Sequence, residues 1–158
     1  MIVVADSSPL IALSRVGKLH LLRDIFGTLL IPDAVWHEVA GSDPGRPGTL
    51  ELRSASWIER RSIKDTALAN LLRRDLGAGE SEAIVLAREA SARMLLMDER
   101  LGRSAAARLG IPVTGLIGIL LEARRLGLVS DPAAIALELR TTAGFWISDD
   151  LMNLLSGN

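Results

Sequence analysis

The sequence predicts a three-layer α/β/α domain built on a central parallel sheet of about four strands. Three observations carry that expectation. Short apolar runs alternate with stretches of helical periodicity, the pattern of a parallel sheet with crossover helices. The first apolar run, residues 2–5, shows no in–out alternation, so that strand is expected to be buried on both faces. The 158 residues fit one domain, 1–158, and no repeat, low-complexity tract or linker divides them.

Taken in order, Ile2-Val3-Val4-Ala5 is the first strand. Ser7-Ser8-Pro9 opens a helix, since serine caps well and proline suits a first turn. That helix carries Leu10, Ile11, Leu13 and Val16 and ends near Gly17. A second short helix presents Leu19, Leu21, Leu22 and Ile25 and stops at Gly27. Leu29-Leu30-Ile31 is the next strand, and Pro32-Asp33 starts a helix that reaches about Ala40. Residues 41–48 are rich in turn formers and are the expected flexible segment. Residues 57–63 read weakly as an edge strand. Leu68, Leu71, Leu72 and Leu76 recur at helical spacing over 66–76. Beyond Gly77 a helix contains Ala83-Ile84-Val85-Leu86-Ala87, more than a full apolar turn, so it is expected to be buried on most sides. It leads to an apolar strand that stops at Asp98. A helix at about 99–109, a brief strand near Pro112-Val113, and helices at 115–126, 132–140 and 148–155 complete the chain.

Composition narrows the function. The chain is 49% hydrophobic with mean hydropathy +0.30, so self-association or a partner is expected beside a well-filled core. The helices at 115–126 and 148–155 are one candidate homodimer face, with core packing the equal alternative. No apolar run approaches the roughly 18 residues of a membrane span. Met1 leads directly into a strand, so no export signal is expected. Cysteine is absent, which excludes disulfides and thiolate metal sites and fits the cytoplasm. A net charge of −1 and a pI of about 6.1 give no global positive field. Nucleic acid would have to be met by a local basic patch or through bound metal ions. Aromatics are 3% and tyrosine is absent, which argues against a sheet of base-stacking rings.

The acids carry the chemistry. In an open parallel sheet, ligands sit beyond the carboxyl ends of the strands. Asp6 and Asp98 each follow an apolar strand, so on neighbouring strands their carboxylates would lie close together. Such repulsion is relieved by protonation or by a cation, and a hard divalent ion takes oxygen ligands. The plainer alternative is that each aspartate caps the helix after it. Glu80 and Glu82 share the first turn of a helix, where the dipole favours acids. They face different ways, and the sequence leaves open which one turns to the site. Glu38, among Val35, Trp36 and Val39, reads on its neighbours alone as a solvated helix residue. His20 and His37 are isolated and lack metal-ligand spacing. Arg100 and Arg103 follow Asp98 and are placed to hold a phosphate, against the plainer reading of a solvated helix face. Nucleotide-cradling glycine motifs and an acyl-transfer triad are absent.

Four stretches, Ala-Asp-Ser-Ser-Pro-Leu at 5–10, Ile-Pro-Asp-Ala-Val-Trp-His-Glu-Val at 31–39, Leu-Gly-Ala-Gly-Glu-Ser-Glu-Ala-Ile-Val-Leu-Ala at 76–87 and Leu-Leu-Met-Asp-Glu-Arg-Leu-Gly-Arg at 95–103, together resemble PIN-domain proteins. Their order and spacing are similar to a prokaryotic branch related to VapC-type toxins. The resemblance implies a metal-dependent endoribonuclease with Asp6, Glu38, Glu82 and Asp98 as its acids and Ser7 in support. It implies Mg²⁺ or Mn²⁺ on Asp6, Glu82 and Asp98, an RNA substrate and, for a toxin, an antitoxin protein. Two departures stand out. The mid-chain acid is commonly aspartate, and here Glu82 has Glu80 nearby. Leu96 occupies a position where many toxins carry a hydroxyl. Two rival readings remain: a PIN-like binding or regulatory subunit without catalysis, and a phosphatase with a strand-end aspartate nucleophile. Ser8 removes the Asp-x-Asp of one such phosphatase class.

Overall fold

The computed structural model describes residues 1–41, 45 and 48–157. The strands are β1 (Val3–Ala5), β2 (Leu29–Ile31), β3 (Ile58–Arg60), β4 (Met94–Leu96) and β5 (Val113–Thr114). They form one sheet in the order β3-β2-β1-β4-β5, with every pair parallel. The sheet thus has five strands where about four were expected. The addition is β3, the doubtful edge strand: its Glu59 and Arg60 are exposed, so no buried apolar run announces it.

Ten helices connect and flank the sheet among the described residues: α1 (Ser7–Arg15), α2 (His20–Phe26), α3 (Asp33–Ala40), α4 (Thr49–Ser54), α5 (Thr66–Leu72), α6 (Ala78–Glu89), α7 (Arg100–Arg108), α8 (Leu116–Arg125), α9 (Pro132–Thr141) and α10 (Asp149–Leu155). The result is the expected three-layer α/β/α arrangement. Helix α4 was not anticipated, and the expected flexible segment at 41–48 falls largely outside the described residues. Helix α5 ends at Leu72, four residues earlier than its leucine spacing predicts, and a turn covers residues 73–75.

The strands read correctly because burial is complete where the sequence is unbroken. Val3, Val4, Ala5, Leu29, Leu30 and Ile31 are all buried. Ala83 to Ala87 are buried as a block, so α6 is enclosed on most sides. This makes α6 the wall against which α3 and α5 pack. Helix α8 buries Leu116, Ile119, Leu120 and Ala123, one face at helical spacing. It packs against α9 and α10, and Leu155 of α10 joins the core. The apolar face of α8 is thus spent inside the molecule, whereas Leu151 and Leu154 of α10 remain exposed.

Candidate active site

Sheet register brings the two strand-end aspartates together. Ala5 of β1 pairs with Leu96 of β4, and the Asp6 amide donates to the Leu96 carbonyl at 2.9 Å. Beyond β4 the Met97 amide donates to the Thr114 carbonyl at 2.9 Å, which carries the chain to Asp98. Asp6 and Asp98 thus leave adjacent strands at the same end of the sheet.

Neither side chain merely caps the helix that follows it. Asp6 occupies the N-cap position of α1, but its side chain makes no capping hydrogen bond. Asp98 precedes α7, yet the cap there is Glu99, which accepts from the Gly102 amide at 2.9 Å. Asp98 Oδ1 instead accepts from the Leu116 amide at 2.9 Å, at the start of α8. Among the described residues, Asp6 Oδ1, Asp98 Oδ2 and Ser81 Oγ are the buried side-chain polar atoms without a hydrogen-bond partner. An unsatisfied buried acceptor costs about 1–3 kcal/mol, and more when charged. Two of these three atoms belong to the strand-end acids, and a cation held between them would satisfy both.

The electrostatics agree. Burial pushes the Asp6 carboxyl up to about 7, and the nearby charges of Glu80, Glu38 and Asp98 push the same way against the Ser7 amide. Burial also raises Asp98, opposed by the Leu116 amide and the Arg103 charge. Glu80 is raised by burial first, then by the charge of Glu99 and a hydrogen bond with it, and by Glu38.

Glu38 is fixed from two sides. Ser7 Oγ donates to Glu38 Oε2 at 2.5 Å, and the Gly79 amide donates to Oε1 at 3.1 Å. Any side chain at position 79 would collide with that carboxylate. Glycine there lets the first turn of α6 approach the acid of α3. Gly115 plays a similar part, since an added Cβ would stand 2.5 Å from Asp98 Oδ1.

Glu82 lies elsewhere. Its Oε1 accepts from the Ala34 amide at 3.1 Å, and its Oε2 pairs with Arg73 at 3.0 Å. It ties α6 to α3 and to Arg73, while Glu80 is the mid-chain acid that acts on Asp6. Of the two first-turn glutamates between which the sequence leaves the choice open, Glu80 is thus the one whose charge reaches Asp6. The reason is helical phase: two residues of helix turn a side chain by about 200°. Arg103 stands beside Asp98, whose carboxyl feels its charge. Arg100 is exposed, and among the described residues its side chain has no hydrogen bond or ion pair. His20 and His37 are exposed, away from any ligand role their spacing already argued against. Glu99 was missed in the sequence; its adjacency to Asp98 just before a helix was the available signal.

The donor set suits a hard cation, because Asp6, Asp98, Glu38 and Glu80 all offer carboxylate oxygens. Among the described residues no three of His, Cys, Asp or Glu form a ready-made metal cage. An ion held by Asp6 and Asp98 would take the rest of its shell mainly from water, as Mg²⁺ does.

These features define a parallel α/β domain with an acidic centre at the carboxyl ends of its strands. The chain belongs to the PIN-domain family, whose model matches residues 2–156. This is a nuclease-type fold. A comparison with curated proteins finds no match. No helix among the described residues is long and apolar enough to cross a membrane.

Proposed function

We propose that the protein is a Mg²⁺- or Mn²⁺-dependent endoribonuclease that hydrolyses RNA phosphodiester bonds, acting as the toxin of a toxin–antitoxin pair. The observation that supports this reading most is the pair of unpartnered buried oxygens, Asp6 Oδ1 and Asp98 Oδ2, on adjacent strands. Asp6 and Asp98 would hold the ion, with Glu80 and Glu38 around it. When bound, such an ion offsets charge on the phosphate and makes water a competent nucleophile at neutral pH. Hydrolysis then delivers hydroxide to phosphorus and a proton to the leaving oxygen. Glu80, whose charge reaches Asp6 and which shares a hydrogen bond with Glu99, adds to the acidic wall around the ion. Ser7 and the Gly79 amide keep Glu38 oriented.

The test is Asp6→Asn. Cleavage of single-stranded RNA with Mn²⁺ is expected to fall at least a hundredfold, while the circular dichroism spectrum stays that of the wild type. Unchanged cleavage would refute the assignment. The rival reading, a non-catalytic binding subunit, draws support from the lack of a three-ligand cage among the described residues. Calorimetry separates the two. Mn²⁺ binding at millimolar concentration or below, lost in Asp6→Asn, is expected for the nuclease and not for the rival.

A further inference from the structure

We propose that Trp146 and Arg103 form a nucleotide subsite beside Asp98, in which one base of a single-stranded RNA stacks on the indole and its phosphate rests on the guanidinium. The inference rests on the nuclease reading above and adds where the substrate lies. A groove of about 650 Å³ runs from Asp98 and Arg103 past Leu116 to Phe145 and Trp146. That volume is in the range of small-ligand sites.

Trp146 is 85% exposed, although a large apolar ring gains by burial. The other two tryptophans are partly buried, and Trp36 already has the Arg60 guanidinium over its ring at 5.8 Å. Trp146 is exposed without being loosely attached. Gly144, at φ 71°, turns the chain after α9. The Phe145 amide donates to the Leu139 carbonyl at 2.9 Å. Ile147 is buried, its carbonyl accepts from Arg140 at 3.4 Å, and Ser148 caps α10. Anchors on both sides hold the backbone while the ring stands in the groove, which lowers the ordering cost of a stacking partner.

Arg103 supplies the complementary charge. Arg23, Arg60, Arg61, Arg73, Arg125 and Arg140 are each engaged by a carboxylate. Arg103 lines the groove beside Asp98, on which its charge acts, and among the described residues its guanidinium makes no hydrogen bond or close ion pair. A flat apolar ring and a planar cation in one groove, opening on an acidic centre, match a base and its phosphate. The acidic centre at the end of the groove, where cleavage is proposed, favours a nucleic-acid strand as the occupant.

The test uses a fluorescently labelled single-stranded RNA of about ten nucleotides and the full chain in the Asp6→Asn background with Mg²⁺, followed by fluorescence anisotropy. Stacking contributes about 1–3 kcal/mol per base, so adding Trp146→Ala is expected to raise Kd about tenfold. Adding Trp146→Phe instead is expected to keep Kd within about threefold, because a ring remains. Equal affinity with and without the alanine change overturns the subsite. If Asp6→Asn still abolishes cleavage in that case, the nuclease reading survives alone. Failure of the wild type to bind or cut the RNA overturns both. A shift from dimer to monomer on gel filtration with unchanged RNA affinity would assign Trp146 to contact with a second copy, and the subsite would again fall.

Discussion

Asp6 is buried to 1% exposure with its carboxyl raised from an ordinary 3.8 to about 7. The folded state therefore binds the Asp6 proton more tightly than the unfolded state does. Between about pH 4 and 7 the unfolded chain has released that proton and the folded chain has not, so stability falls as pH rises through this window. The shift corresponds to about 4 kcal/mol. In EDTA, wild-type Tm is expected to drop as pH rises from 5 to 8, and Asp6→Asn is expected to flatten the profile and be the more stable protein at pH 8. Mn²⁺ should raise Tm at pH 8 in the wild type only. Parallel pH profiles for the two proteins would show that Asp6 titrates normally. The meeting of Asp6 and Asp98 was legible because each ends an apolar strand, and the two strands pair. Orientation was not. Glu80 and Glu82 lie in one first turn beside an apolar block buried on nearly every side, so no polar face fixed the helical phase. Glu82→Gln is expected to leave Mn²⁺ affinity within about twofold, whereas Glu80→Gln should weaken it about tenfold by calorimetry.

Helices α3 and α6 meet where Glu38 reaches the Gly79 amide, and this contact converts helix packing into site geometry. Gly79→Ala would drive a methyl group into the Glu38 carboxylate. Overpacking of this kind costs about 1–3 kcal/mol, or roughly 3–10 °C in Tm for a chain of this size. Cleavage is expected to fall more steeply than stability, because Glu38 must move. Gly77→Ala is the control: its added Cβ meets nothing nearer than 3.5 Å, and a thermal melt should barely change. Equal losses in the two variants would remove Gly79 from this role. Such a contact is invisible in sequence, because Glu38 and Gly79 are 41 positions apart and nothing local marks either. The central strands were legible for the opposite reason. Val3 to Ala5 and Leu29 to Ile31 are buried on both faces, so a continuous apolar run is required. Edge strand β3 is held by backbone pairing to β2, and that pairing leaves little trace in side-chain pattern.

Net charge and fold together constrain how the molecule can meet RNA. The chain carries a formal charge of −1, and most of the arginine pairs that stand out in the sequence are engaged. Arg60, Arg61, Arg73 and Arg125 face carboxylates, and Arg124 donates to the Leu155 carbonyl at 3.1 Å. The helices eligible as a dimer face, α8 and α10, pack against each other and α9, while Leu151 and Leu154 of α10 stay exposed. What remains near the acids is Arg103, with Arg100 at the start of the same helix. Two phosphate contacts on a single strand predict a dependence of log Kobs on log salt with a slope of about −1.5. Between roughly 50 and 200 mM salt the affinity should then fall only about tenfold. Anisotropy titrations across that range check it, and Arg103→Gln should make the slope shallower by about half. A slope steeper than about −4 would require a wide basic surface, which this distribution of paired arginines does not provide, and would place the RNA away from the groove beside Asp98.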